Sequence, residues 1–195
     1  MTQIPATLAY HYGRSRPAGE EYVRLGRIEE GGPSWGYGQD PANIPGELSG
    51  LAHWLVEPMR LWDGSWYRLT AINWYSPRQS ANAAFFPLYP KLMDWGNQLT
   101  GWSVETIGYL VSNVAFLIAL ILLFRLISLD FSASVAKRTI LAVALFPTAF
   151  FFTAVYTESL FIMLAVATLY AARRGEWLVA GVAGLLAALT RSAGV

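Results

Sequence analysis

The run TIGYLVSNVAFLIALILLF, Thr106 to Phe124, is 19 residues without a charge, and TILAVALFPTAFFFTAVYT, Thr139 to Thr157, repeats that length. At about 1.5 Å per helical residue each would reach about 28 Å, close to the ~30 Å of a bilayer's hydrocarbon core. Two shorter uncharged runs follow, Ser159 to Ala172 and Trp177 to Thr190, each of 14 residues. These span only if the flanking Tyr156, Arg173 and Arg191 extend to the headgroups. A soluble core can bury one such helix. Four of them between Thr106 and Val195 leave too little polar surface to cover them, so the sequence predicts an all-α, polytopic membrane protein with a transmembrane region over 106–195.

Charges mark the direction of threading. Arg125, Lys137 and Arg138 bracket one short gap and Arg173 and Arg174 the next, while the acid Glu158 stands alone between them. Lys and Arg near span ends favour the cytoplasmic side. Both basic gaps are then cytoplasmic, and everything before Thr106, the Tyr156 to Glu158 turn and Arg191 face the other way. Helix counting thus predicts Asp63, Glu158 and Arg191 on one non-cytoplasmic surface. Glu158 lies among Phe150, Phe151, Phe152, Tyr156, Leu160 and Phe161. An acid costs up to roughly 3 kcal/mol at mid-membrane, so one in this setting points to a function.

Composition narrows the classes. The chain is 54% hydrophobic, has a net charge of +1 and contains no cysteine, so neither a disulfide framework nor a thiolate metal site is open to it. His11 and His53 are too far apart in sequence to read as a ligand pair. So balanced a charge gives no footprint for nucleic acid. Residues 1 to 20 lack the apolar core of a secretory signal.

Organisation changes near Pro45. Residues 1–50 are rich in Gly, Pro and charge and predict a polar, disordered segment. Residues 51–105 predict an outward catalytic loop carrying interfacial helices. Leu51, Trp54, Leu55, Met59 and Trp62 recur at helical spacing, with Pro58 kinking or ending that segment. Pro90 is expected to open a second helix running to Leu99, closed by Gly101, with Phe85, Phe86, Tyr89, Leu92 and Trp95 on its interfacial face.

Between those helices, Trp62-Asp63-Gly64-Ser65-Trp66-Tyr67 sets one carboxylate among three large aromatics. An aromatic face stacks on the apolar face of a pyranose while a carboxylate accepts a hydroxyl proton, so the cluster suits a carbohydrate hydroxyl. An interfacial anchor followed by a turn would look the same.

This run, with Phe85-Phe86-Pro87-Leu88-Tyr89-Pro90, Val111-Ser112-Asn113, Phe146-Pro147, Tyr156-Thr157-Glu158-Ser159 and Thr190-Arg191-Ser192-Ala193-Gly194, resembles the PIG-V type mannosyltransferases. These are the GPI mannosyltransferase 2 proteins and their bacterial relatives, of the GT-C class of membrane glycosyltransferases. The motifs arrive in family order from Leu51 to Val195.

The resemblance implies a partial GT-C-like helical bundle that moves a sugar, typically mannose, from a polyprenyl- or dolichyl-phosphate donor to a lipid-linked or glycan acceptor hydroxyl, with inversion. It implies Asp63 as general base and Arg191 on the donor phosphate. Glu158 would either orient the acceptor or assist a divalent cation, Mg or Mn; no cofactor is otherwise called for. Trp62, Trp66, Tyr67 and Tyr156 are the expected sugar contacts. The membrane would be the plasma membrane of a bacterium or the endoplasmic reticulum of a eukaryote. Family members carry a span before the Trp-Asp loop and further spans beyond Val195, so the chain is expected to be an N-terminal fragment. Ala180 and Gly184, one turn apart, predict a face for a close helix partner. A competing reading keeps the membrane and drops the enzyme: a transporter fragment or non-catalytic subunit, with Pro147 breaking a helix and Glu158 as a coupling acid.

Overall fold

The computed structural model describes residues 50–60, 62–75 and 83–194, and every regular element among them is helical. The expected disorder of residues 1–50 lies outside the described residues, Gly50 apart, as does His11. Among the described residues seven α-helices follow one another: α1 Gly50–Val56, α2 Asp63–Asn73, α3 Leu88–Thr100, α4 Val104–Ile127, α5 Ala133–Ala144, α6 Glu158–Arg173 and α7 Trp177–Ala188. Short 3-10 turns occupy Glu57–Arg60, Ala149–Phe152 and Ser192–Gly194.

The longest helix is delimited by its own chemistry. Ser103 accepts the Thr106 backbone N–H on its hydroxyl at 3.2 Å, Glu105 sits in the first turn, and Arg125 in the last. Each charge complements the helix dipole at its end. Among the described residues α4 is the one helix long and apolar enough to cross a membrane, and it reaches about 36 Å. Leu110, Val114, Leu117, Ile118 and Ile121 stay exposed along it. A soluble core helix would bury such side chains; here they form the outer surface.

The expected span Thr139 to Thr157 is not one helix. α5 stops at Ala144, Leu145 caps it with an N–H to the Leu141 carbonyl, and the chain then turns through Ala149–Phe152 in 3-10 form. Pro147 explains the break, since it has no N–H to donate and its ring clashes with the carbonyl four residues earlier. α6 has 16 residues and α7 has 12, about 24 and 18 Å long. Pro58 ends α1 as expected, and the helix expected to open at Pro90 begins at Leu88, two residues earlier. Gly101 closes it with φ 71°, a left-handed cap that donates its N–H to Asn97.

α4 packs on α6, α6 on α7, and α3 and α5 on opposite ends of α4. The core gathers at one end, which we call the head, where α2, α3, the N-terminus of α4 and residues 154–156 meet. Tyr67, Tyr89, Met93, Val155, Tyr156 and Leu160 fill it. Tyr89, expected at a membrane interface, is fully buried; Trp95 on the same helix is exposed. At the opposite end Arg173 pairs with Asp130 at 2.6 Å, so the two basic gaps lie together, away from the head. Ala180, Ala183 and Ala187 of α7 are buried, and Gly184 comes within reach of Thr168 on α6. The small-residue face therefore has its partner within the chain.

Candidate functional site

The Asp63 loop is held by backbone bonds from a distant segment. Val155 donates its N–H to the Met59 carbonyl at 2.8 Å, and Asp63 donates its own N–H to the Tyr156 hydroxyl at 3.2 Å. Gly64 lies against Val155, where an added Cβ would sit 3.4 Å from the carbonyl oxygen. Behind the loop, Glu105 at the head of α4 is 3% exposed and pairs with Arg60 at 2.9 Å and with Arg68. One buried acid thereby binds the 3-10 turn and α2 to the start of α4. Trp62, immediately before Asp63, has φ 53° and ψ −118°, a backbone state that costs about 1–3 kcal/mol in a residue other than glycine.

The 154–157 turn is fixed in turn by hydroxyls that span α4 and the head. Ser112 donates to the Tyr156 carbonyl at 3.0 Å, which uses its one proton. The Tyr89 hydroxyl lies 2.8 Å from that of Ser112, within hydrogen-bond distance, and donates to the Gly108 carbonyl at 2.9 Å. Asn113 donates to Thr153 at 3.2 Å, and Tyr67 bonds Thr157 at 3.0 Å. Gly108 is what lets α4 come so close: a Cβ there would meet Val155 at 2.7 Å.

In front of this frame is an open cavity of about 390 Å³, lined by Trp62, Asp63, Thr148, Phe151, Phe152, Tyr156 and Glu158. Arg191 forms an ion pair with Glu158 at its edge. Its backbone position follows from α7, whose Leu189 carbonyl accepts the Leu88 N–H at 3.0 Å and so ties the end of α7 to the start of α3. Asp63, Glu158, Arg191, Tyr156 and Trp62 are thus brought to one place.

Two expected sugar contacts lie elsewhere. Trp66 stacks on Phe85 with ring centroids 5.7 Å apart, outside the cavity lining. Tyr67 is 8% exposed, wedged edge-on against Phe85, Tyr89 and Tyr156. Burial pushes its phenol up to about 12, partly offset by the Thr157 hydrogen bond and raised further by nearby Glu158. Tyr67 supports the wall from behind through Tyr156, while Trp66 faces Phe85, because successive positions on α2 point in different directions. Thr148, Phe151 and Phe152 were not singled out as site residues; Pro147, which ends α5, is the signal that the chain there leaves the helix and lines a cavity. Among the described residues no three carboxylate or imidazole side chains cluster closely enough to hold a metal ion.

This cavity places apolar aromatic walls beside two carboxylates and a guanidinium, an arrangement able to seat a sugar, accept a hydroxyl proton and hold an anion. No curated protein and no solved structure matches the chain. A family profile described as Mannosyltransferase (PIG-V) matches residues 39–195, a span that includes every residue lining the cavity and Arg191. The chain belongs to the mannosyltransferase (PIG-V) family of glycosyltransferases.

Proposed function

We propose that this chain is part of a polytopic membrane glycosyltransferase of GT-C type that passes a hexose, mannose by family, from a polyprenyl- or dolichyl-phosphate donor to an acceptor hydroxyl. The acceptor is a lipid-linked sugar or glycan presented at the non-cytoplasmic face. The observation that carries this reading is the sharing of one aromatic cavity by Asp63 and Glu158, with Arg191 paired to Glu158 at its rim. Exposed apolar side chains along α4, and the basic residues gathered at the far end, support a membrane setting with the head outward.

In the proposed step Asp63 accepts the acceptor's hydroxyl proton as the acceptor oxygen forms its bond to the anomeric carbon. The carbon–oxygen bond to the lipid phosphate breaks, and the phosphate leaves with the electron pair, inverting the centre. A lipid phosphate is a good leaving group, so no general acid is required. Arg191 offsets the charge that grows on the phosphate, and Glu158 orients the acceptor. Phe151, Phe152, Trp62 and Tyr156 supply apolar faces for the sugar.

Asp63→Asn tests the assignment because it keeps shape and removes the base. Reconstituted with the same membrane yield, the variant should lose sugar transfer by about a hundredfold to ten-thousandfold, the usual worth of general-base catalysis. Transfer at the parent rate would take Asp63 out of the mechanism.

A further inference from the structure

Resting on the reading of Arg191 as the donor-phosphate residue, we infer that Glu158 and the phosphate compete for Arg191. The Arg191–Glu158 pair is then an inhibitory contact that the donor opens, and its opening delivers Glu158 to the acceptor. The donor binds first.

Exposure favours exchange at this pair. The Arg191 side chain is 41% exposed and that of Glu158 is 28%, so an incoming anion meets the guanidinium before the carboxylate. The pair is also incomplete on the acid's side. Oε1 of Glu158 takes the guanidinium, while Oε2 is buried and has no hydrogen-bond partner among the described residues. A carboxylate satisfied at one oxygen holds arginine less firmly than a phosphate group that engages the guanidinium fork with two. Once released, Oε1 of Glu158 is available to an acceptor hydroxyl, inside the cavity that Asp63 also lines.

The backbones on either side are held, so the exchange is a swing of the arginine side chain. Thr190 is buried and donates its hydroxyl to the Ala187 carbonyl at 2.6 Å, and Gly194 donates its N–H to the Arg191 carbonyl at 2.9 Å. Glu158 begins α6 directly after Thr157, which Tyr67 bonds at 3.0 Å. Neither end has to unfold for the pair to part.

Calorimetric binding of undecaprenyl phosphate to the purified full chain in detergent, with inorganic phosphate as a parallel probe, tests the exchange. Glu158→Gln should bind the lipid about tenfold more tightly, about 1.4 kcal/mol. Arg191→Ala should bind it more weakly, and adding Glu158→Gln to Arg191→Ala should change nothing more. A matching gain with inorganic phosphate traces recognition to the phosphate alone; a gain confined to the lipid means that the polyprenyl tail must seat the headgroup first. If Glu158→Gln binds no more tightly while Arg191→Ala still weakens binding, the exchange is wrong and the donor role of Arg191 stands. If Arg191→Ala binds as the parent does, that donor role falls as well. On the unaltered chain, an acceptor analogue whose reacting hydroxyl is replaced by hydrogen should inhibit transfer uncompetitively against donor and competitively against acceptor; noncompetitive inhibition against donor overturns the sequence of binding whether or not the variants fold.

Discussion

The two ends of α4 are built on different rules. At the head, position is set by directional bonds between residues far apart in sequence: Ser112 to the Tyr156 carbonyl, Asn113 to Thr153, Tyr67 to Thr157, and Asp63 to the Tyr156 hydroxyl. Along the shaft, helices meet through small side chains, with Ala115 and Ala119 of α4 and Ala180, Ala183 and Ala187 of α7 buried while larger residues point away. Ion pairs at the far end are exposed, as Arg173 with Asp130 and Arg174 with Glu176. Exposed pairs are screened by water and contribute little, whereas an unsatisfied buried group costs about 1–3 kcal/mol. The head therefore tolerates few substitutions and the shaft many, and it is the head that holds the cavity.

The largest effect should come from breaking the contact that joins the two. Gly108 is on α4, yet an added Cβ would fall 2.7 Å from Val155, 3.1 Å from Met93 and 3.2 Å from the Tyr89 hydroxyl. None of these can retreat, since Tyr89 and Val155 are fully buried and Tyr89 is bonded to Ser112. Gly108→Val should lose about 3 kcal/mol of stability, the upper end for overpacking, and lower the thermal midpoint in detergent. A midpoint equal to that of the parent would mean that the head is not close-packed against α4.

That contact also marks the boundary of what the sequence made legible. Uncharged length and the sign of the gaps were enough to predict that Asp63, Glu158 and Arg191 share one end, and they do, even though Thr139 to Thr157 is no continuous helix. Hydropathy sums side chains and is blind to the missing N–H of Pro147, which turns that run into a cavity wall. Tyr67 and Tyr89 were misplaced for a related reason. A tyrosine ring suits an interface and a core equally, and only its hydroxyl's partner decides; those partners, Thr157 and Ser112, lie 90 and 23 residues away. Ser112 and Asn113 stood out only as part of a family motif, because their partners Tyr156 and Thr153 are 44 and 40 residues distant.

A smaller effect would sharpen the difference through pH. Burial raises the Tyr67 phenol from 10.0 to about 12, so the folded head holds that proton more tightly than the unfolded chain does. Its contribution is complete below pH 10, where both states are protonated. It is lost as pH rises towards about 12, because the unfolded phenol ionises first and draws the equilibrium towards unfolding, at a cost of about 2 kcal/mol. The thermal midpoint should fall over that window by less in Tyr67→Phe than in the parent, whatever their difference at neutral pH. Equal falls would show that Tyr67 meets water in the folded state.

The smallest effect, and the one of opposite sign, belongs to the shaft. Gly181 lies within α7 with no atom within 4 Å of where its Cβ would be, so Gly181→Ala meets no obstacle. Alanine restricts the unfolded chain and favours the helix, which should raise stability by about 0.5–1 kcal/mol. The gain should leave sugar transfer unchanged, because no residue of α7 lines the cavity. A loss of stability would mean that a further helix closes on this face of α7 and makes the shaft as demanding as the head. A gain accompanied by slower transfer would instead mean that α7 must flex to let Arg191 move between Glu158 and phosphate, and the division of labour between shaft and head would then be kinetic as well as structural.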